Sequence, residues 1–183
     1  MRGEAQPTFM ADDYPGLSKA PVVTLRLRNE EETKELGRWI AAELGAGDFL
    51  GLIGDLGAGK TTLMKGVVEA RSRASEQALS PTYSLVQVYE TSPPIFHMDL
   101  YRLQNWADLE SIGYWDYLDS DGIVCVEWLD RIPGAWPEQG VIISLSRDGR
   151  ERSAEIWADE ERGLSLNESI STLVFNDHDP EKE

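Results

Sequence analysis

Short apolar runs recur along the chain and predict a sheet. Residues 23–28 (VTLRLR) alternate apolar and polar side chains, which indicates a half-buried strand. Residues 49–54 (FLGLIG) and 123–128 (IVCVEW) are apolar at most positions, which is typical of strands buried on both faces. Residues 80–90 and 95–102 predict two further strands, separated by a Ser-Pro-Pro turn. The buried strands indicate a sheet that is covered on both sides.

Helical patterns lie between these strands. Asn29, three residues before Glu32, forms the sequence signature of a capping box and predicts the start of a helix. Residues 60–71 predict a second helix, and residues 106–119 predict a third that Gly113 interrupts. Because strands and helices alternate, the chain is expected to form an α/β sandwich.

The last third of the chain predicts an antiparallel hairpin. Residues 141–146 and 153–159 are apolar strands that flank a turn at Asp148-Gly149. Together with the buried strands, this hairpin predicts a mixed sheet with parallel and antiparallel pairs.

Composition sets the expected domain limits. With 183 residues and 41% hydrophobic side chains, the chain is long enough for one domain with a substantial core. We expect residues 1–20 to be a disordered extension, residues 21–160 to be the folded domain, and residues 161–183 to be an acidic tail with a short helix near residues 167–174.

Several absences point to a cytoplasmic protein. No apolar run reaches 18 residues, so no membrane span is expected. The first residues lack the basic and apolar regions of a secretory signal. Cys125 is the single cysteine, which fits a reducing compartment and excludes an internal disulfide framework. Cys125 lies between Val124 and Val126 and is therefore interpreted as a core residue.

The net charge argues against direct nucleic-acid binding. The chain has 33 acidic and 17 basic residues, a formal charge of −16. Such a surface repels a polyanion at long range, so extensive contact with nucleic acid is not expected.

Residues 54–62 (GDLGAGKTT) carry the main chemical signal. They fit the pattern G-x-x-x-x-G-K-[ST], and a predicted strand precedes them while a predicted helix follows. Glycines allow backbone N–H groups to approach phosphates closely, and the helix adds unpaired N–H groups. We expect Lys60 to reach the β- and γ-phosphates, Thr61 to hold Mg²⁺, and Thr62 to donate to the α-phosphate. This context argues against a chance match.

A phosphate loop needs a carboxylate from a neighbouring strand to complete the metal site. Asp99 and Glu127 are the two candidates, each near the end of a predicted strand. His97 is a weaker candidate for a base, because a lone histidine in a strand is more often a packing residue. Arg102 is a candidate phosphate contact or an ion-pair partner, and Trp128 is interpreted mainly as a packing residue.

The residues alone leave three classes of phosphate-loop protein open. The guanine-reading N-K-x-D motif of GTPases does not occur. A small-molecule or nucleoside kinase remains possible, since Arg147, Arg150 and Arg152 resemble an arginine-rich lid, although they flank a hairpin turn. The other classes are an ATPase that a partner activates and a nucleotide-gated binding module without significant turnover.

Five motifs together resemble the TsaE family, the bacterial tRNA threonylcarbamoyladenosine biosynthesis ATPases. They are GDLGAGKTT (54–62), SPTYSLVQVYE (80–90), HMDLYRL (97–103), DLESIGYWDYL (108–118) and IVCVEW (123–128), in the family's order and approximate spacing. The resemblance covers roughly residues 22–158. The combination of S-P-T, D-L-Y-R and E-W around one phosphate loop is specific, whereas the loop alone is not.

The resemblance implies a fold and a function. The fold would be a P-loop NTPase-type three-layer sandwich with a mainly parallel central sheet and an antiparallel edge hairpin. The activity would be ATP hydrolysis in support of threonylcarbamoyl transfer to adenosine 37 of tRNAs that read codons starting with A. A partner heterodimer of two related subunits would perform the transfer, and this chain would contact tRNA only indirectly, through that complex. A partner that supplies basic surface agrees with the chain's negative charge.

The resemblance also implies roles for individual residues. The residues that would contact ATP are Thr33, Gly57, Ala58, Gly59, Lys60, Thr61, Thr62 and Arg152. Thr61 and Glu127 would hold Mg²⁺, and Ser80, Pro81 and Thr82 would form a switch that senses the γ-phosphate. Asp99 would position or polarise the attacking water, so Lys60, Asp99 and Glu127 are the candidate catalytic residues.

The chain departs from the family pattern at two positions. Met98 replaces the usual phenylalanine, and Leu129 replaces a frequent proline. Both changes are apolar or local, and neither removes a predicted site residue.

Overall fold

A computed structural model describes residues 10–72, 81–149 and 151–173. In these ranges a seven-stranded sheet runs in the order β1-β7-β6-β2-β5-β4-β3. The strands are β1 (Val23–Leu27), β2 (Phe49–Ile53), β3 (Val86–Tyr89), β4 (Ile95–Asp99), β5 (Ile123–Glu127), β6 (Val141–Asp148) and β7 (Glu151–Ala158).

The centre of the sheet is parallel. Strand β2 pairs in parallel with β5 and β6, and β5 also pairs in parallel with β4. Strands β3, β7 and β1 form antiparallel pairs at the two sides, with the predicted β6–β7 hairpin among them. Leu52 and Asp99 both lie opposite Glu127 in register, so the carboxyl ends of three adjacent strands meet at one edge. That edge is where ligands bind in open α/β sheets.

Five helices flank the sheet in the described ranges. They are α1 (Glu30–Glu43), α2 (Lys60–Arg71), α3 (Trp106–Ser111), α4 (Tyr114–Leu118) and α5 (Glu160–Ser169). The Asn29 side chain accepts a hydrogen bond from the Glu32 backbone N–H at 2.9 Å, which confirms the predicted start of α1. Gly113, with a φ of +70°, separates α3 from α4, as the sequence predicts.

Two apolar clusters occupy the two faces of the sheet. One joins β-strand residues to α1 and α2, and the other joins the opposite face to α3, α4 and the segment after β5. Helices therefore cover both sides of the sheet, and the predicted three-layer α/β sandwich with a parallel core is confirmed. In the described part of the chain, no helix is both long enough and apolar enough to span a bilayer.

The segment before β1 is packed, which corrects the prediction of a disordered extension for residues 10–20. Tyr14 is 2% exposed and contacts the Trp136 ring edge-on, with ring centroids 6.2 Å apart. The Trp136 indole N–H donates to the Pro15 carbonyl at 2.8 Å. These contacts join residues that are distant in the sequence, so no local periodicity predicts them. Residues 1–9 lie outside the described ranges.

The C-terminal helix begins earlier than predicted. Asp159 caps α5 by accepting from the Arg162 backbone N–H at 2.9 Å, whereas the sequence analysis places a helix near residues 167–174. Leu166 is buried, and the Arg162 guanidinium donates to the Glu43 carbonyl at 2.8 Å. Helix α5 is thus part of the fold and not of a tail. Residues 174–183 lie outside the described ranges.

Candidate functional site

A cleft of about 260 Å³ opens at the carboxyl edge of the parallel strands. Its walls come from the loop after β2, the start of α2, the ends of β4 and β5, and the β7 strand. Nine of the predicted site residues line it: Gly57, Gly59, Lys60, Thr61, Thr62, Thr82, Asp99, Glu127 and Arg152. Residues that are distant in the sequence therefore meet in one place.

The loop between β2 and α2 requires glycine. Gly54, Gly57 and Gly59 have φ angles of +135°, +79° and +116°, which side chains with a Cβ rarely adopt. A Cβ on Gly54 would also lie 2.1 Å from the Leu145 carbonyl oxygen. The backbone can therefore turn back on itself, and helix α2 begins directly at the cleft with its N-terminal N–H groups.

Lys60 is buried against the loop that precedes it. Its ammonium donates to the Gly54 carbonyl and, at 3.0 Å, to the Asp55 carbonyl. It also lies 3.5 Å from the centroid of the Trp128 ring, a cation–π contact. Burial lowers the pKa of Lys60, and the negative charge of Glu127 acts in the opposite direction. A desolvated cation thus lies at the base of the cleft.

Thr61 and Glu127 form a hydroxyl–carboxylate pair between α2 and β5. The Thr61 hydroxyl lies 3.1 Å from each Glu127 oxygen, and Glu127 is only 2% exposed. His97 contacts the same carboxylate, with Nε2 at 2.9 Å from Oε1. The resemblance implies Thr61 and Glu127 as the metal ligands, and the structure brings these two side chains together.

Asp99 is tied to the segment that the sequence analysis describes as a switch. The Thr82 hydroxyl donates to Asp99 Oδ2, and the Tyr101 backbone N–H donates to Oδ1 at 2.8 Å. Pro81, which precedes Thr82, is buried, and Ser80 lies outside the described residues. The carboxylate of Asp99 is therefore held from two sides, one of which is Thr82.

Of the remaining predicted nucleotide contacts, two line the cleft and two do not. Arg152 lines the cleft, and its Nε atom is buried without a hydrogen-bond partner among the described residues. The Thr62 hydroxyl donates to Glu30 at 3.2 Å. Thr33 is fully buried, with its hydroxyl donating to the Asn29 carbonyl at 3.2 Å, and Ala58 is 1% exposed; neither lines the cleft.

Three cleft residues are not site candidates from the sequence. Glu30 and Leu56 line the cleft, and Trp128, which the sequence favours as a packing residue, lies under Lys60. The position of Glu30 in the first turn of α1 is a weak signal, because acidic residues are common there for dipole reasons alone. Arg102 lies outside the cleft walls, exposed, with its guanidinium carbon 6.0 Å from the Tyr83 ring.

The structure also bears on the sequence interpretations of Cys125 and of the arginine-rich lid. Cys125 is fully buried, and burial raises the pKa of its thiol to about 12, which confirms its interpretation as a core residue. Arg147, considered as a lid residue, donates to the Gly149 carbonyl at 2.9 Å within its own hairpin, and Arg150 lies outside the described residues.

The donor set of the cleft suits a phosphate ester with a hard cation. A glycine loop, a helix N-terminus and the cations Lys60 and Arg152 supply N–H groups to anionic oxygens. Thr61 and Glu127 offer the oxygen ligands that Mg²⁺ prefers. No cluster of three or more His, Cys, Asp or Glu side chains is placed to hold a metal in residues 10–72, 81–149 and 151–173. The fold and the site place this chain in the class of P-loop proteins.

Comparison with known proteins narrows the class to a family. The model of the TsaE family, described as threonylcarbamoyl adenosine biosynthesis protein TsaE, matches residues 27–155. The match covers the strands and loops that build the cleft. The chain belongs to the TsaE family.

Individual relatives agree with this assignment. A Bacillus subtilis protein called tRNA threonylcarbamoyladenosine biosynthesis protein TsaE is 36% identical over 148 residues, 80% of this chain and 92% of that one. A Nostoc protein of the same name is 41% identical over 152 residues, 81% of this chain and 89% of the relative. The crystal structure of Bacillus subtilis YdiB superposes with a TM-score of 0.67 at 32% identity, covering 82% of this chain and 94% of that one.

Proposed function

We propose that this chain binds ATP with Mg²⁺ in the cleft and hydrolyses it, in support of threonylcarbamoyladenosine formation in tRNA in the cytoplasm. The observation that carries the proposal is the contact between Thr61 and Glu127, 3.1 Å apart beside the glycine loop. A hydroxyl and a carboxylate from two distant parts of the chain meet where a phosphate loop places its cation. The names of the relatives supply the link to tRNA modification.

Each cleft residue has a part in this proposal. The backbone N–H groups of Gly57–Thr61 and the Lys60 ammonium would bind the phosphates, and Arg152 would add a second cation. Thr61 and Glu127 would hold Mg²⁺, which neutralises charge on the β- and γ-phosphates when it is bound. Asp99 would orient the attacking water. Because Thr82 donates to Asp99, a movement of the 80–82 segment would change that carboxylate's position.

The proposal includes dependence on a partner. Phosphoryl transfer depends mainly on positioning and charge stabilisation, so hydrolysis is expected to be slow until a partner completes the site. The partner we propose is the heterodimer of two related threonylcarbamoyl-transferase subunits, with tRNA contacting that complex and not this chain. A net charge of −16 supports this division, since a polyanion is repelled by the chain alone.

Phosphate release with and without the heterodimer tests the function. We expect slow ATP hydrolysis by the chain alone and stimulated hydrolysis when the heterodimer is present. Transfer of the γ-phosphate to an added nucleoside or sugar would instead indicate a kinase. Tight binding without release in either condition would indicate a nucleotide-gated binding module, and both results would contradict the proposal.

Replacing the buried lysine tests the site itself. Lys60→Ala removes a cation from the base of the cleft. We expect ATP binding or turnover to fall at least about tenfold, because a hydrogen bond to a charged group contributes about 1.5–3 kcal/mol. Lys65→Ala is a matched control, because Lys65 lies on the same helix outside the cleft walls. Equal rates for the two variants would mean that the site is elsewhere.

A further inference from the structure

His97 is a buried imidazole beside the proposed metal site. It lies in β4, is 0% exposed, and does not line the cleft. In register it faces Cys125 of β5, two residues before Glu127 on the same strand. An imidazole in this position cannot contact a ligand in the cleft, but it contacts a residue that can.

The hydrogen bond of His97 shows which ring nitrogen faces the carboxylate. Nε2 lies 2.9 Å from Glu127 Oε1, and an ionised carboxylate only accepts, so Nε2 carries the proton. Nδ1 is buried and has no hydrogen-bond partner in the described part of the chain. The geometry therefore makes the Nε2–H group the donor to Glu127 and leaves Nδ1 without an acceptor among the described residues.

We propose that His97 is a positioning residue that holds Glu127 in the orientation required for Mg²⁺. The Thr61 hydroxyl is nearly equidistant from the two Glu127 oxygens, so that contact does not distinguish them. The His97 N–H contacts Oε1 alone, so this hydrogen bond distinguishes Oε1 from Oε2. Outer-shell donors of this kind orient carboxylate ligands, and losing one typically weakens metal binding about 10–100-fold.

This inference rests on the proposed function, because it concerns the metal that accompanies the nucleotide. Its test uses His97→Gln, which keeps an N–H donor, and His97→Leu, which removes the donor while keeping an apolar side chain in the core. Cys125→Ala is the control for a change of volume in the core, since Cys125 is the fully buried neighbour of His97 in register and lies outside the cleft walls.

The first readout is the Mg²⁺ dependence of nucleotide binding, measured by calorimetry. His97→Leu is expected to raise the Mg²⁺ concentration for half-maximal effect about 10–100-fold. Binding of metal-free nucleotide is expected to stay unchanged, and His97→Gln and Cys125→Ala are expected to stay near the wild-type requirement. A wild-type Mg²⁺ requirement in His97→Leu would overturn the proposal. An equal loss of metal-free binding in that variant would also overturn it, because the role would then be structural.

The second readout is the imidazole nitrogen NMR spectrum of the protein without nucleotide. The chain has two histidines, so a His178→Gln background leaves the signals of His97 alone. We expect a proton on Nε2 that is hydrogen-bonded to Glu127, and a ring protonated at Nδ1 alone would overturn the assignment. If wild-type protein binds no ATP with or without Mg²⁺, the proposed function is wrong. The spectrum would still show whether His97 donates to Glu127.

Discussion

At the scale of single residues, the cleft contains two kinds of polar group. Thr61 with Glu127, and Thr82 with Asp99, are already hydrogen-bonded to each other. Arg152, in contrast, has a buried Nε atom without a hydrogen-bond partner among the described residues. The buried Nε atom has no surface to offer a ligand, but the Arg152 side chain lines the cleft and brings a permanent positive charge to it. This charge is the residue-level reason to expect a phosphate in the cleft.

Arg152 gives a prediction at this scale. Arg152→Gln is expected to weaken ATP binding on the order of tenfold or more, since hydrogen bonds to charged groups contribute about 1.5–3 kcal/mol. Titration calorimetry measures the change. The matched control is Arg147→Gln, because Arg147 is the register partner of Arg152 but donates to the Gly149 carbonyl outside the cleft. Similar affinities for both variants would show that Arg152 does not contact the nucleotide.

At the scale of elements, the site depends on the close packing of α1 and α2. A Cβ on Gly37 would lie 2.2 Å from the Leu63 carbonyl oxygen, and a Cβ on Gly66 would lie 2.1 Å from the Lys34 carbonyl oxygen. Two glycines therefore allow the helix backbones to approach directly. This approach places the first turn of α1 beside the first turn of α2, where the Glu30 and Thr62 side chains meet.

Gly66→Ala is expected to destabilise the protein. Alanine favours an isolated helix by about 1 kcal/mol over glycine, but the overlap with a backbone carbonyl forces a shift that costs about 1–3 kcal/mol. We therefore expect a lower melting temperature, by about 2–4 °C for each kcal/mol lost. Thermal denaturation followed by circular dichroism measures it. In the control Gly45→Ala, the nearest atom to the new Cβ is 3.8 Å away, and little change is expected. A more stable Gly66→Ala protein would contradict the close approach.

Local signals explain which elements could be predicted from the sequence. The buried strands, the Asn29 cap and the break at Gly113 depend on neighbouring residues, and each was predicted correctly. The predicted start of α5 is wrong although Asp159 is a typical cap. Most residues of α5 are polar, so the helix shows little apolar periodicity in the sequence. The burial of Tyr14 depends on Trp136, which is distant in sequence, and no local pattern contains that contact.

The candidate site divides in the same way. The phosphate-loop motif predicts Thr61 and a strand-end carboxylate as metal ligands, which leaves Asp99 and Glu127 as candidates, and the resemblance to the TsaE family favours Glu127. The placement of Trp128 under Lys60 depends on the left-handed backbone at Trp128, with a φ of +61°. Tertiary surroundings hold a non-glycine residue in that conformation, so no local pattern in the sequence predicts the contact between Trp128 and Lys60.

At the scale of the whole molecule, one buried thiol reports on folding. Cys125 is the only cysteine, and burial raises the pKa of its thiol to about 12. In the unfolded chain the thiol ionises near its ordinary pKa of about 8.5. Between these values the unfolded state binds fewer protons than the folded state, so the free energy of unfolding decreases as pH rises.

Urea denaturation at several pH values tests this linkage. Above about pH 8.5, the wild-type free energy of unfolding is expected to fall by up to about 1.4 kcal/mol per pH unit from this thiol. Cys125→Ala lacks the thiol, so its decline is expected to be shallower, while tyrosine ionisation at higher pH affects both proteins alike. Parallel curves for the two proteins would show that the thiol is not shielded in the fold.

The most direct test of the central claim is a crystal structure of the protein with a non-hydrolysable ATP analogue and Mg²⁺. We expect the phosphates to contact the backbone N–H groups of residues 57–61 and the Lys60 ammonium, with the metal bound by Thr61 and Glu127. Phosphates bound elsewhere on the molecule, or a metal that contacts neither Thr61 nor Glu127, would contradict it.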